Sequence, residues 1–229
     1  YNLTFVDGAM VINKAALTVR ANNDARFVTQ SDATGFAGVS YSGWVGGESP
    51  TVLGGTAVVT RSASGPDGNT GASNASEGRY TAVLTATGLT SNNYTISYAP
   101  GNYTVVPADQ LLVKVTPAAS SYGTAASYSV AEAKYLNRSN IITDLTGNVT
   151  RSGNTFTVSD GAGGSATFSI SPEAAVSSGA GQLAAGSYSL AATSVSVISN
   201  NFSNNLTLVG AQSVMAVPVT AVPSVSKVS

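Results

Sequence analysis

The 229-residue chain contains no cysteine and no histidine, a single tryptophan and two methionines. Those absences remove thiol nucleophiles, Ser-His-Asp triads, disulfides and the usual zinc or copper sites together. Charge is scarce too. Ten basic and eleven acidic residues make up 9% of the chain, the net charge is −1, and no large single-sign field can be assembled from so few groups. Nucleic acid is therefore not an expected partner. No apolar run approaches the ~20 residues needed to cross a bilayer, and no basic n-region followed by an apolar stretch opens the chain. This segment is not expected to insert into a membrane. Glycoside hydrolysis needs two carboxylates about 5–10 Å apart, whereas the acids here are scattered singly among turn signals. No glycine-rich loop opens a helix, so a phosphate cradle is missing as well. The chain is read as a non-enzyme with no metal and no cofactor.

What is abundant is small and β-branched. Hydrophobic residues reach 43%, with 24 glycines and ten tyrosines, enough for a packed core and unlike the composition of a disordered chain. Runs of β-formers stand at Leu17 to Arg20, Val39 to Tyr41, Thr56 to Arg61, Tyr80 to Thr87, Tyr94 to Tyr98 and Tyr103 to Val106. Gly, Pro, Asn and Asp punctuate them, as at Asp7-Gly8, Pro66-Asp67-Gly68 and Asp160-Gly161, where glycine tolerates positive φ and Asp bonds its own backbone. Pro100-Gly101 reads as a short hairpin turn between two of these strands. Only Val130 to Tyr135 and Glu173 to Val176 suggest a helical turn. The expected class is all-β.

The sequence also repeats itself. Tyr94-Thr95-Ile96-Ser97-Tyr98, continuing through Gly101 and Val105 to Ala108, matches Tyr1-Asn2-Leu3-Thr4-Phe5 through Gly8 and Ile12 to Ala15, a shift of 93 residues. Gly78-Arg79-Tyr80-Thr81 falls on Gly186-Ser187-Tyr188-Ser189, and Ser91-Asn92-Asn93-Tyr94 on Ser199-Asn200-Asn201-Phe202, both with a shift of 108. Periods of about 90–110 residues are the size of whole sandwich domains, longer than solenoid units. The expected layout is two tandem immunoglobulin-like β-sandwiches, 14–107 and 108–219. Residues 1–13 would be the last strands of a preceding repeat, and 220–229 a linker or tail. Continuous strands from Val11 to Val19 and from Thr104 to Val115 would stiffen the joints into a rod.

The string Asn92-Asn93-Tyr94-Thr95-Ile96-Ser97-Tyr98, closed by Tyr103-Thr104-Val105 and preceded by Gly78-Arg79-Tyr80-Thr81-Ala82-Val83, resembles the ending of MBG repeats. Leu17-Thr18-Val19-Arg20-Ala21-Asn22-Asn23, followed by Tyr41-Ser42-Gly43-Trp44-Val45-Gly46-Gly47-Glu48, is similar to that family's opening. In the second repeat Ser121-Tyr122-Gly123 and the stretch from Gly186 to Phe202 fit, while Lys134 to Thr150 and Asp160 to Ser165 depart from the pattern. The family consists of bacterial immunoglobulin-like domains found in tandem in very large surface and exported proteins, typically filamentous-haemagglutinin-like and biofilm-matrix adhesins. The resemblance implies an extracellular, cell-surface location, neighbouring repeats of the same chain as partners, and a stalk or spacer role in adhesion. It implies no reaction, and fold analogy by itself assigns no role to a residue.

An alternative role is a carbohydrate-binding module that grips exopolysaccharide or host glycan, since sugars stack on exposed aromatic faces while carboxylates and amides take their hydroxyls. Tyr41, Trp44 and Glu48 are the candidate ligand-binding residues, with Tyr122 and Tyr135 as lesser ones. Against this, Trp44 stands where a packing anchor between sheets is expected. Asp67-Gly68-Asn69 and Asp160-Gly161-Ala162-Gly163-Gly164 are similar to calcium loops, but each offers one acid where several are needed, so both read as tight turns. Asp109 and Asp144 are candidates for an inter-domain cation. Asn-x-Ser/Thr triplets at Asn2, Asn74, Asn93, Asn102, Asn137, Asn148, Asn201 and Asn205 are potential glycan acceptors; a chain rich in Asn, Ser and Thr also makes such triplets by chance, and Asn at a turn before a Tyr-Thr strand start has its own backbone reason. Lys14, Lys114 and Lys134 are the lysines to inspect for an amide crosslink to Asn.

Overall fold

The computed structural model describes residues 11–62, 76–203 and 205–217. The segments 1–10 and 218–229, and with them the expected preceding strands and tail, lie outside the described residues, as do Asp7-Gly8, Asp67-Gly68-Asn69, Asn2 and Asn74. The described chain is all-β. Its only helical elements are single 3-10 turns at Pro50–Val52 and Thr146–Asn148.

The first half contains β1 (Ala15–Ala21), β2 (Asp24–Phe27), β3 (Val39–Ser42), β4 (Gly54–Arg61), β5 (Gly78–Thr90), β6 (Tyr94–Ala99) and β7 (Gly101–Val106). Alternation decides their faces: Leu17, Val19 and Ala21 of β1 are fully buried, while Thr18 and Arg20 between them are not. One sheet has the order β3-β1-β6 and the other β2-β7-β5-β4. Between them lies one core, built from Leu17, Val19, Val59, Tyr80, Val83, Leu84, Tyr94, Tyr103 and Val105. Each fully buried aliphatic side chain there contributes roughly 1.5–3 kcal/mol of transfer free energy.

The first and last strands of this half both change sheets. β1 runs parallel to β6 in one sheet, and its continuation β2 runs parallel to β7 in the other. Both chains bend at the same level, at Asn22-Asn23 and at Pro100-Gly101. The bend requires glycine, because a Cβ on Gly101 would collide with the carbonyl oxygen of Ala21. The expected Pro100-Gly101 hairpin is thus corrected. β6 and β7 do not pair with each other; they are one line of chain handed from sheet to sheet, since Pro100 lacks the N–H that would continue the ladder.

The second half repeats this plan with β8 (Leu111–Val115), β9 (Ala118–Ser121), β10 (Val130–Leu136), β11 (Ile142–Asp144), β12 (Val149–Ser152), β13 (Thr155–Ser159), β14 (Ser165–Pro172), β15 (Gly186–Ile198), β16 (Leu206–Val209) and β17 (Ala211–Met215). Its sheets are β11-β10-β8-β16 and β12-β13-β14-β15-β17-β9. β8 is parallel to β16 and β9 to β17, with the switch at Thr116-Pro117 and Gly210. A second core gathers Leu111, Val113, Phe156, Val158, Phe168, Ile170, Leu190 and Phe202. The 108-residue shift seen in the sequence carries β5 onto β15, both 13 residues long. It also carries Tyr80 onto Tyr188, and each hydroxyl donates to a carbonyl four residues upstream, Ser76 O at 2.5 Å and Ala184 O at 2.8 Å.

Several local expectations are corrected. Val130 to Tyr135 is strand, because it pairs antiparallel with β8, and past a bulge between Val130 and Glu132 it turns Ala133 to the core with Glu132 and Lys134 on the other face. Glu173-Ala174 is a turn, with Ala174 at φ 49°. Strand begins only at Ala15, so Val11 to Lys14 adds nothing to β1. Thr104 to Val115 is not continuous: Pro107-Ala108-Asp109-Gln110 interrupts it, with Asp109 in the left-handed region at φ 60°.

At that interruption the chain reverses. Val106 and Phe27 of the first half meet Leu112, Leu136 and Val209 of the second in a third apolar cluster. Farther from the turn, Asp24 meets Lys114, and Asn22 lies across from Thr116, Pro117 and Gly210. Farther still, β3 packs against β15 and β17. The second half thus runs back along the side of the first, where a rod had been expected. Gly101→Ala is expected to lower stability by about 1–3 kcal/mol through overpacking against β1. Gly147→Ala, whose new methyl meets nothing within 4 Å, should stay within about 0.5 kcal/mol; urea unfolding of both variants checks this.

Candidate functional site

The residues proposed from sequence for ligand contact do come together. Gly43, at φ 105°, brings the loop after β3 so close to β1 that a Cβ would strike the Ala16 carbonyl. Trp44 therefore turns inward and packs on the core. Its ring lies 5.4 Å from Tyr41 and 5.4 Å, edge-on, from Tyr94. Tyr94 is buried, and its hydroxyl accepts from Val45 N at 3.1 Å and donates to the Glu48 carboxylate. Burial, and next the Glu48 carboxylate, push the Tyr94 phenol above its ordinary range. A cavity of about 310 Å³ beside this cluster is lined by Glu48, Val45, Asn13 and Tyr94, but neither Trp44 nor Tyr41 faces it. The second half has a counterpart: Tyr135, on the strand matching β3, meets Phe202 edge-on at 5.8 Å. Tyr122 lies elsewhere, its hydroxyl 2.8 Å from that of Ser178.

A charged cluster that sequence reasoning missed sits beneath the first core. Asp32, in the loop after β2, pairs with Arg26 of β2 at 2.8 Å and with Arg61 of β4 at 2.7 Å, and accepts the Tyr103 hydroxyl of β7 at 3.0 Å. Both arginine side chains are at most 5% exposed, and the Arg61 guanidinium lies 4.7 Å above the Tyr103 ring. Burial is the largest single influence on Asp32 and pushes its pKa up. The hydrogen bonds from Arg26, Arg61 and Tyr103 together outweigh it and hold the carboxyl below the usual aspartate range. Tyr103 is pushed up, by burial first and then by the Asp32 charge, so it remains a phenol donor. One carboxylate thereby ties together three strands of one sheet. The only hint in the sequence was two arginines within runs of strand formers.

The remaining candidates are engaged in turns and pairs. Asp160 closes the β13–β14 turn by accepting from Ala162 N and Gly164 N at 2.8 Å, from the Ser199 hydroxyl at 2.6 Å and from Asn201 at 3.2 Å. Those donors, Ser199 foremost, lower its pKa and fill the lone pairs a cation would need. Asp109 pairs with Arg138, and Asp144 caps Thr146 N at 2.8 Å. Lys14 donates to Ser91 O, Lys114 pairs with Asp24, and Lys134 with Glu132. The crosslink idea is corrected: each lysine faces a carbonyl or carboxylate instead of an asparagine. Asn102 accepts from Ala82 N, and Asn137 from Ser139 N and Ile141 N, so these triplets serve the backbone. Asn93, Asn148 and Asn205 are exposed.

This geometry defines a class of protein: an all-β module whose few charged and aromatic side chains are occupied in joining strands, loops and halves. Residues 17–104 match the model of the MBG domain family, YGX type. No curated protein and no solved structure gives a significant match to the chain.

Asp32→Ala should cost about 3 kcal/mol, because two nearly buried guanidinium groups lose their shared carboxylate. A lowered native pKa means the Asp32 contribution is fully present above its unfolded value of about 3.9 and is lost as pH falls through the native value. Urea midpoints measured from pH 7 down to pH 2 are expected to fall more steeply for the parent chain than for Asp32→Asn.

Proposed function

We propose that the chain is a pair of tandem immunoglobulin-like β-sandwich repeats, 14–107 and 108–219, in the stalk of a large exported bacterial adhesin at the cell surface or in biofilm matrix. Its work on this reading is mechanical and non-enzymatic, and its partners are neighbouring repeats of the same chain. The observation that carries the reading is the parallel pairing of first and last strands in each half. In such a pair, tension entering at the start of one strand and leaving at the end of the other makes the strands slide. All the ladder bonds then bear load together, where an antiparallel pair pulled from its open end would give way one bond at a time.

Other features support the same reading. The hydroxyls of Tyr80 and Tyr188, each bonded back four residues upstream, are tyrosine corners of the kind found in immunoglobulin-like sandwiches. The family match covers the first half. Low net charge lets many such modules stand in series without self-repulsion. The carbohydrate-binding alternative is disfavoured by the inward turn of Trp44 and by Tyr94, which already occupies Glu48.

Two measurements separate the readings. A glycan array is expected to show no saturable binding by the chain. Trp44→Ala should lower stability by about 3 kcal/mol, as large-to-small changes in packed aromatic clusters do, without changing the array. Saturable binding that disappears with Trp44→Ala would overturn the stalk reading.

A further inference from the structure

The two halves touch along a seam that differs in kind from the cores on either side of it. Its apolar part is small: Ala25, Phe27 and Val106 against Leu112, Leu136 and Val209, all within one end of the contact. Beyond that patch the seam is loosely filled, with polar side chains such as Asn22, Asn23, Arg79 and Glu173 standing among apolar ones such as Val115, Pro117 and Leu190. A groove of about 480 Å³ runs between Asn23, Arg79 and Asn102 on one side and Glu173, Leu190 and Thr207 on the other. Further cavities of about 230 and 330 Å³ lie between Asn22 and Pro117 and between Arg20 and Ser187. The Asn22 Oδ1 and Ser187 Oγ atoms are buried beside these gaps without a hydrogen-bond partner in the protein. Two ion pairs cross the seam, Lys114–Asp24 at 2.7 Å and Arg79–Glu173 at 3.1 Å.

An interface with a small dry patch, voids and unsatisfied oxygens loses little when water enters it. The core of each half is instead a continuous cluster of buried apolar side chains. The joint that would open is short, Pro107-Ala108-Asp109-Gln110, and no ladder pairs the two halves across it. Force acts differently on the two kinds of contact. Because the second half runs back along the first, pulling on the chain ends peels the seam progressively from the end remote from the turn. The parallel ladders inside each half are loaded in shear.

We propose that the seam is a tension-releasable closure: under load the halves swing apart about Pro107–Gln110 as intact modules, lengthening the chain before either module unfolds, and close again when load falls. Lys114–Asp24 is its polar latch, and Phe27 against Leu112 and Leu136 its apolar one. The closure rests on the load-bearing reading above and gives it a regulation, a length reserve stored between folded repeats.

The test is single-molecule stretching of the full chain held at its two ends. The strand line from Tyr94 to Val106 spans roughly 43 Å at about 3.3 Å per residue, so opening should add roughly 80 Å reversibly at low force. Two larger, hysteretic steps should follow, with contour gains of at most about 320 Å for residues 15–106 and about 370 Å for 111–215. Lys114→Glu, which sets a carboxylate against Asp24 outside both cores, should move the early step to lower force and leave the later steps unchanged. Arg79→Glu should shift it less, and Arg79→Glu with Glu173→Arg should restore it. A record that begins directly with an unfolding step, or one cooperative step of about 700 Å, would overturn the closure. So would an early step indifferent to Lys114→Glu. Saturable glycan binding lost with Trp44→Ala, together with an intact early step, would instead remove the stalk reading and leave the closure as a property of the fold.

Discussion

The parallel pairing of the first and last strands is the constraint on which each half depends. Because β1 and β6 lie side by side in one sheet and β2 and β7 in the other, the two ends of the half are stitched together across both layers of its core. The stitching requires two chains to cross between sheets at one level. There is no space for a side chain at that crossing, which is why Gly101 stands in the first half. Gly210 stands in the second, where a Cβ would come within 2.8 Å of Val115. Asn23 completes the crossing by accepting the Asn102 N–H at 2.8 Å, supplying from a side chain the bond that the interrupted ladder cannot.

With so few charges, their placement carries information. Asp32 collects two arginines and a tyrosine from β2, β4 and β7, tying three strands of one sheet through a single carboxylate. Lys114 and Asp24, and Arg79 and Glu173, sit where the first and second halves of the chain meet. Asp160 and Asp109 hold turns. Among the described residues the charges act mostly at short range, in pairs that join neighbouring elements. The cores, clusters of buried apolar side chains, differ in this from the seam, which combines an apolar patch with ion pairs and unfilled space.

Much of the architecture was legible because it is written in local periodicity. Alternation at Leu17-Thr18-Val19 marks an inward and an outward face without reference to anything distant, and the shift of 108 residues that joins Tyr80 to Tyr188 survives as two strands of equal length with the same hydroxyl bond. Where local signals misled, a distant partner decided the outcome. Pro100-Gly101 has the composition of a hairpin turn, yet β1 and β2 claim the strands on either side of it. Val130 to Tyr135 has residues a helix accepts, yet the ladder with β8 makes it strand. The Tyr41, Trp44 and Glu48 cluster was visible as a group, but the direction of Trp44 depended on Gly43 meeting β1, and the engagement of Glu48 on Tyr94, 46 residues away.

Sequence alone determined the all-β class, the strand positions of the first half apart from β2, and the exclusion of cysteine and histidine chemistry, because each follows from side-chain type and spacing within a few residues. Tertiary structure alone decided which strands pair in parallel, what Asp32 gathers, and that the second half lies back along the first. Most of those outcomes join residues far apart in the chain, from Asp32 and Tyr103 to β3 and β17, and the small free energies that select among them arise only when distant surfaces are brought into contact.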